Sequence, residues 1–246
     1  MKLLAGVAVV LCASSLLAAC GSDIPGAPPA SQGIVVNRPV PDIPLISSNG
    51  TPTSLAAYRG KYIVLANFLT LCQDECPLVT GAFITLQREV RAAGLGNRVV
   101  FMEITVDPMR DTPARLRAYS KEFGADWPLL TGTPANLQAL WKFFGVAVQI
   151  VPEEQPPKLD WYTGKPLTYD VNHTDGYILI NPQGSERFVD VDAPDLDGHL
   201  KKSLEGLLND GGVRNLKDQR KPNWTLTDAL SSISWLVGRN IPQTGS

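Results

Sequence analysis

The chain predicts an α/β layer fold, with a mixed central sheet flanked by helices and a helical extension at its C-terminal end. Three observations carry this expectation. Residues 61–69 and 98–106 are β-rich and apolar at consecutive positions, the pattern of strands buried on both faces. The segments that follow them have helical spacing, with proline at the first turn and glycine at the stop. Two late strand-like runs, 177–181 and 187–191, flank Asn181-Pro182-Gln183-Gly184, a turn sequence suited to a hairpin.

The elements follow in order. Residues 39–49 lead into the domain, and Leu55–Tyr58 reads as a short helical turn. After the first buried strand, residues 77–93 place Val79, Phe83, Leu86 and Val90 on one side of a helix that stops at Gly94. Asp111-Thr112-Pro113 is a cap with proline at the first helical position, and that helix runs to Phe123 before Gly124. Residues 127–130 form a short strand. Thr133-Pro134 opens another helix, through Phe144 to Gly145. Residues 146–151 read as a strand, 153–169 as a Pro- and Gly-bearing excursion, and 194–208 as a closing helix. A last amphipathic helix, Leu226–Val237, puts Leu226, Leu230, Ile233 and Val237 on a face expected to pack on the domain.

The N-terminal end sets the compartment. Lys2 is the only charge in residues 1–19, and the rest is apolar or small, as in a secretory signal. Leu17-Ala18-Ala19-Cys20 resembles the bacterial lipobox, which implies cleavage before Cys20 and lipid on that cysteine. Several acyl chains on one residue hold a protein stably to a bilayer. The expected organisation is therefore a signal over 1–19, a Pro/Gly/Ser-rich tether over 20–38 and a domain over 39–209, followed by a linker and helix over 210–246. The chain would be lipid-anchored to a bacterial cell membrane, with its domain on the extracytoplasmic side. The formal charge of −2 becomes −3 once Lys2 is lost, and there is no basic run. Nucleic acid is excluded as a partner on that ground, and the domain is expected to be a monomer.

Cysteine usage is the sharpest chemical signal. Cys12 would leave with the signal and Cys20 would carry lipid, so Cys72 and Cys76 remain in an oxidising compartment. As a staple the pair is weak, because closing a loop of roughly five residues removes only about 2 kcal/mol of unfolded-chain entropy. The pair follows a buried strand and precedes a helix opened by Pro77, which is the thioredoxin-like arrangement. The helix N-terminus favours the thiolate form, while Asp74 and Glu75 oppose it. With His173 beside them, the cysteines would offer a ligand set for copper, Cu(I) in particular and Cu(II) as a second state. They could equally cycle to a disulfide as an oxidoreductase pair. Closed zinc sites take four ligands, and the only other histidine, His199, reads as a surface residue. A peroxidase lacks its activating arginine motif.

The stretches FLTLCQDECP (68–77), TVDPMRDTP (105–113), LLTGTPANLQALWKFFG (129–145) and VNHTDGYILINPQG (171–184) resemble the Sco/SenC family of copper-binding, thioredoxin-like proteins. The resemblance implies Cys72, Cys76 and His173 as copper ligands. It also implies a role in assembling the binuclear copper centre of cytochrome c oxidase subunit II, by copper delivery or by reduction of that subunit's cysteines. Two positions depart from the family pattern: Gln73 stands where proline is usual, loosening the loop, and Asn172 where aspartate precedes the histidine. Asp107, Arg110 and Asp111 match the family, and capping and loop fixing account for them.

Overall fold

A computed structural model describes residues 33–217 and 224–244. Strand β1 (Ile34–Pro39) leads to β2 (Leu45–Ser47), β3 (Pro52–Thr53) and a 3₁₀ turn at Leu55–Tyr58. The core unit is β4 (Tyr62–Phe68), α1 (Cys76–Ala92), β5 (Val99–Thr105), α2 (Pro113–Phe123), β6 (Leu129–Thr131) and α3 (Pro134–Phe144). Then come β7 (Val148–Val151), β8 (Asp170–His173), β9 (Gly176–Ile180) and β10 (Ser185–Val191). The C-terminal part holds β11 (Pro194–Asp195), α4 (Lys202–Glu205), α5 (Asp210–Lys217), β12 (Trp224–Thr225) and α6 (Leu226–Val237).

The main sheet has the order β1-β10-β9-β4-β5-β6-β2-β3. Strands β4, β5 and β6 are parallel, joined by the α1 and α2 crossovers, whereas β9 runs antiparallel to β4 and β10 antiparallel to β9. This is a mixed, thioredoxin-like sheet. Residues Ile63 to Phe68 are all buried, as their unbroken apolar run requires. Thr112 and Thr133 accept from the backbone N–H groups of Arg115 and Asn136, and Gly124 and Gly145 end their helices at φ 78° and 76°.

Three expectations need correction. Residues 34–38, assigned to the tether, form β1 and pair antiparallel with β10. The closing helix expected over 194–208 is mostly absent. Pro194 and Asp195 pair instead with Trp224 and Thr225, and Asp197 and Gly198 take positive φ, which a continuing helix forbids. Only Lys202–Glu205 is helical there. Strand β8 lies in a stretch with no strand-like pattern; it pairs with β7 as a separate two-stranded sheet, setting Val148 opposite His173.

The last helix does pack on the domain, as its apolar face suggests. Ala229, Leu230, Ile233 and Val237 are buried, and α6 contacts α1 and β4. Trp224 is fully buried, edge-on to Tyr177 with ring centroids 4.9 Å apart. The segment expected as an extension from residue 210 thus contributes to the same core. Among the described residues, no helix is long and apolar enough to cross a membrane.

Candidate metal centre

Strand β4 delivers the chain to Thr70 at the C-terminal end of the parallel strands. There the 70–75 loop turns into α1, whose first residue is Cys76. Asp111 fixes the start of this loop: its carboxylate accepts from the Thr70 N–H (3.1 Å) and from the Thr70 and Thr105 hydroxyls. The Thr70 carbonyl accepts from Trp161 Nε1 at 2.7 Å, which ties the 152–169 excursion down beside the site. Asp107, Arg110 and Tyr169 secure the same excursion: Arg110 pairs with Asp107 and donates to the Tyr169 carbonyl (2.7 Å), and the Tyr169 hydroxyl donates to Asp107 (3.0 Å). The loop-fixing role read from the sequence is what these residues perform. The cap of α2 is Thr112.

Both cysteines are free thiols, Cys76 buried and Cys72 half-buried. His173, at the end of β8, brings Nε2 to 3.3 Å from Cys76 Sγ. One donor atom from each of Cys72, Cys76 and His173 lies within 4.8 Å of the other two. The predicted site residues therefore converge. Cys20 lies outside the described residues, and His199 is exposed and not part of this cluster.

Two residues that the sequence reading passed over set the imidazole. The Asn67 amide hydrogen-bonds His173 Nδ1 at 2.8 Å and donates to the Thr174 carbonyl at 2.6 Å. Asp175 Oδ1 stands 3.6 Å from the same Nδ1. As a donor, the Asn67 amide leaves Nδ1 the acceptor and the ring proton on Nε2; Asp175 is the acceptor that would take an Nδ1 proton and leave Nε2 free toward the sulfurs, as outer-shell carboxylates of ligating histidines do. Asn67 did leave a signal: it is a polar residue inside an apolar strand, and it is buried.

The electrostatics separate the two thiols. The hydrogen bond with Cys76 holds the Cys72 thiol well below its usual range; burial opposes this, and His173 reinforces it. The Cys76 backbone N–H, at the start of α1, also points at Cys72 Sγ (3.4 Å). Burial pushes the Cys76 thiol well up, and the neighbouring Cys72 adds to that. Burial disfavours the His173 cation, but Asp175 and the Cys72 thiolate outweigh it and raise the imidazole to about 9. Cys72 is thus the more acidic of the two thiols, with Cys76 and the His173 imidazole both shifted toward holding their protons. Beside these groups opens a polar cleft of about 300 Å³, bordered by Glu75, Asp170, Asp175 and Asn209.

A thioredoxin-like domain with two sulfurs and one imidazole converging at a helix N-terminus defines a class: proteins of soft-metal or dithiol chemistry. The SCO1/SenC family model matches residues 38–195, and the chain belongs to that family. A Stutzerimonas stutzeri protein named for copper binding is 29% identical over 168 residues, covering 68% of this chain and 72% of its own. The mouse mitochondrial SCO1 homologue is 27% identical over 140 residues, covering 57% of this chain and 46% of that one. The chain spans about half the length of such mitochondrial relatives. Among solved structures, copper-bound ScoI of Arabidopsis thaliana superposes with a TM-score of 0.52 at 25% identity, covering 68% of this chain and 92% of that one. A SCO1/SenC family lipoprotein of Bacillus anthracis gives 0.50 at 25% identity, covering 62% and 84%.

Proposed function

We propose that this chain is a copper-binding assembly protein that carries copper to the binuclear centre of cytochrome c oxidase subunit II. The observation that carries the reading is the convergence of Cys72, Cys76 and His173 donors within 4.8 Å. The donor set suits the metal: two sulfurs and an imidazole form a soft shell that Cu(I) accepts without a fourth protein ligand. Such an incomplete shell leaves room for an acceptor's ligands, as delivery of a cargo metal requires. Copper-bound and copper-named relatives support the same assignment. In this reading the domain works as a monomer, tethered to the extracytoplasmic face of a bacterial cell membrane through lipid on Cys20. The family lipoprotein of Bacillus anthracis supports that anchoring.

A second reading has its own observation, the asymmetry of the thiols. Cys72 is half-buried with a depressed pKa, and Cys76 is buried with a raised one. In an oxidoreductase the Cys72 thiolate would attack a partner disulfide and release one partner thiolate. Cys76, after losing its proton, would then attack the mixed disulfide. The partner gains two electrons and this chain becomes the disulfide.

The deciding experiment is anaerobic copper titration of the reduced chain, comparing wild type with Cys72→Ala, Cys76→Ala, His173→Ala and, as control, His199→Ala. One copper per chain, lost or sharply weakened in the first three variants and retained in the fourth, supports the metal reading. A wild type without specific copper, but with thiols that exchange with a partner dithiol, would transfer the assignment to the oxidoreductase.

A further inference from the structure

Beyond residue 195, where the family match ends, the chain turns back onto the loop between the two cysteines. Asn209 donates its backbone N–H to the Gln73 carbonyl at 2.8 Å. The Asn215 side-chain amide donates to Asp74 Oδ1 at 2.6 Å and to Glu75 Oε1 at 3.1 Å. Every residue of the three-residue loop is therefore held from α5 or its lead-in. The fit is close: a Cβ at Gly212 would lie 2.6 Å from the Gln73 carbonyl oxygen and 3.0 Å from that of Asp74. Glycine is what lets the backbones approach so nearly. The segment is itself anchored. The Leu208 carbonyl accepts from Lys158 Nζ at 2.8 Å, Asn209 Oδ1 accepts the Gly212 N–H at 2.8 Å, and Leu204, Leu208 and Leu216 are buried.

We infer that residues 206–217 are a strap that fixes the Cys72–Cys76 loop in its metal-ready shape, with Asn215 as the positioning residue. This rests on the reading of Cys72, Cys76 and His173 as the copper site. The physical need is plain. With Gln73 after the first cysteine, φ is not locked as a proline would lock it. Two adjacent carboxylates between two sulfurs favour a splayed loop by mutual repulsion. One primary amide has two N–H donors, one for each carboxylate, and the Asn209 N–H takes the remaining carbonyl. Side chains that orient a ligand without touching the metal typically change metal affinity 10- to 100-fold.

The test uses the full chain, reduced and free of metal, as wild type, Asn215→Ala and Gly212→Ala. Amide hydrogen exchange is followed at residues 73–76, with the β4 and β5 amides as a fold control, and Cu(I) affinity is measured by competition. The strap predicts at least tenfold faster exchange at 73–76 in both variants, unchanged strand exchange, and Cu(I) affinity lower by roughly tenfold or more. If Gly212→Ala does not fold, Asn215→Ala decides alone, since its side chain lies outside the core. Wild-type exchange at 73–76 in the folded variants, or faster exchange with wild-type Cu(I) affinity, would overturn the inference. A wild type that binds no Cu(I) would remove the copper reading. The strap would then stand or fall on the exchange data and the alkylation rate of Cys72.

Discussion

Replacing Glu103 with glutamine should reshape the pH dependence of stability, because a fully buried carboxyl sits in the middle of β5, beneath the helix that carries Cys76. Thr80, one turn past Cys76 on α1, donates to Glu103 Oε1 at 2.8 Å, and Trp127 Nε1 donates to Oε2 at 2.9 Å. Burial outweighs these two bonds and lifts the carboxyl from 4.5 to about 7. Its folded pKa thus stands above the unfolded one. Between pH 4.5 and about 7 the folded chain keeps a proton that the unfolded chain has released, so stability falls as pH rises through that window. At about 1.4 kcal/mol per pH unit, the loss is on the order of 3 kcal/mol once pH exceeds 7. Glu103→Gln keeps the shape, offers a carbonyl to Trp127 and an amide to Thr80, and has no charge to bury. Urea unfolding from pH 4.5 to 8 should show the variant close to wild type at the acid end and about 3 kcal/mol more stable at the basic end. Asp111, raised to about 6 by burial, and His173, raised to about 9 by Asp175 and Cys72, titrate in both proteins and cancel in the difference. A gap between the two proteins that stays constant with pH would refute the argument.

The other predictions concern the imidazole and the C-terminal core. Asp175→Ala removes the carboxylate that stands 3.6 Å behind His173 Nδ1, so copper affinity should drop roughly 10- to 100-fold by competition titration while far-ultraviolet dichroism stays native. Trp224→Ala empties a fully buried site against Tyr177 and strips the Asp192 carbonyl of its 2.8 Å donor. Chemical denaturation should register a loss of roughly 3–5 kcal/mol.

Much of the site was legible in the chain because its chemistry is local. Cys72, Cys76 and Pro77 sit at one strand-to-helix junction, and the residue types alone name the possible ligands. The asparagine behind His173 was not legible. Its partner lies 106 positions away, and one polar residue in an apolar strand breaks the pattern without saying what it faces. Strand β8 was missed for a related reason: Asp170-Val171-Asn172-His173 has little apolar alternation, and its partner strand β7 is largely exposed. The failed helix over 194–208 shows the reverse error, since its spacing is helical but Pro194 and Asp195 are claimed by Trp224 and Thr225.

By itself the sequence determined the layered α/β architecture, the limits of helices α1 to α3, the hairpin and the candidate donors Cys72, Cys76 and His173. Periodicity, caps and short-range motifs are properties of neighbouring residues, and a chain displays them without folding. Only the tertiary structure decided that the three donors meet, that Asn67 and Asp175 both stand at the imidazole's Nδ1, and that Asn209, Gly212 and Asn215 meet the cysteine loop. Apart from the Asp175–His173 pair, those contacts join residues about 100 to 140 positions apart. Their pairing is set by which side chains the packed sheet and helices bring within a few ångströms, which no local pattern encodes.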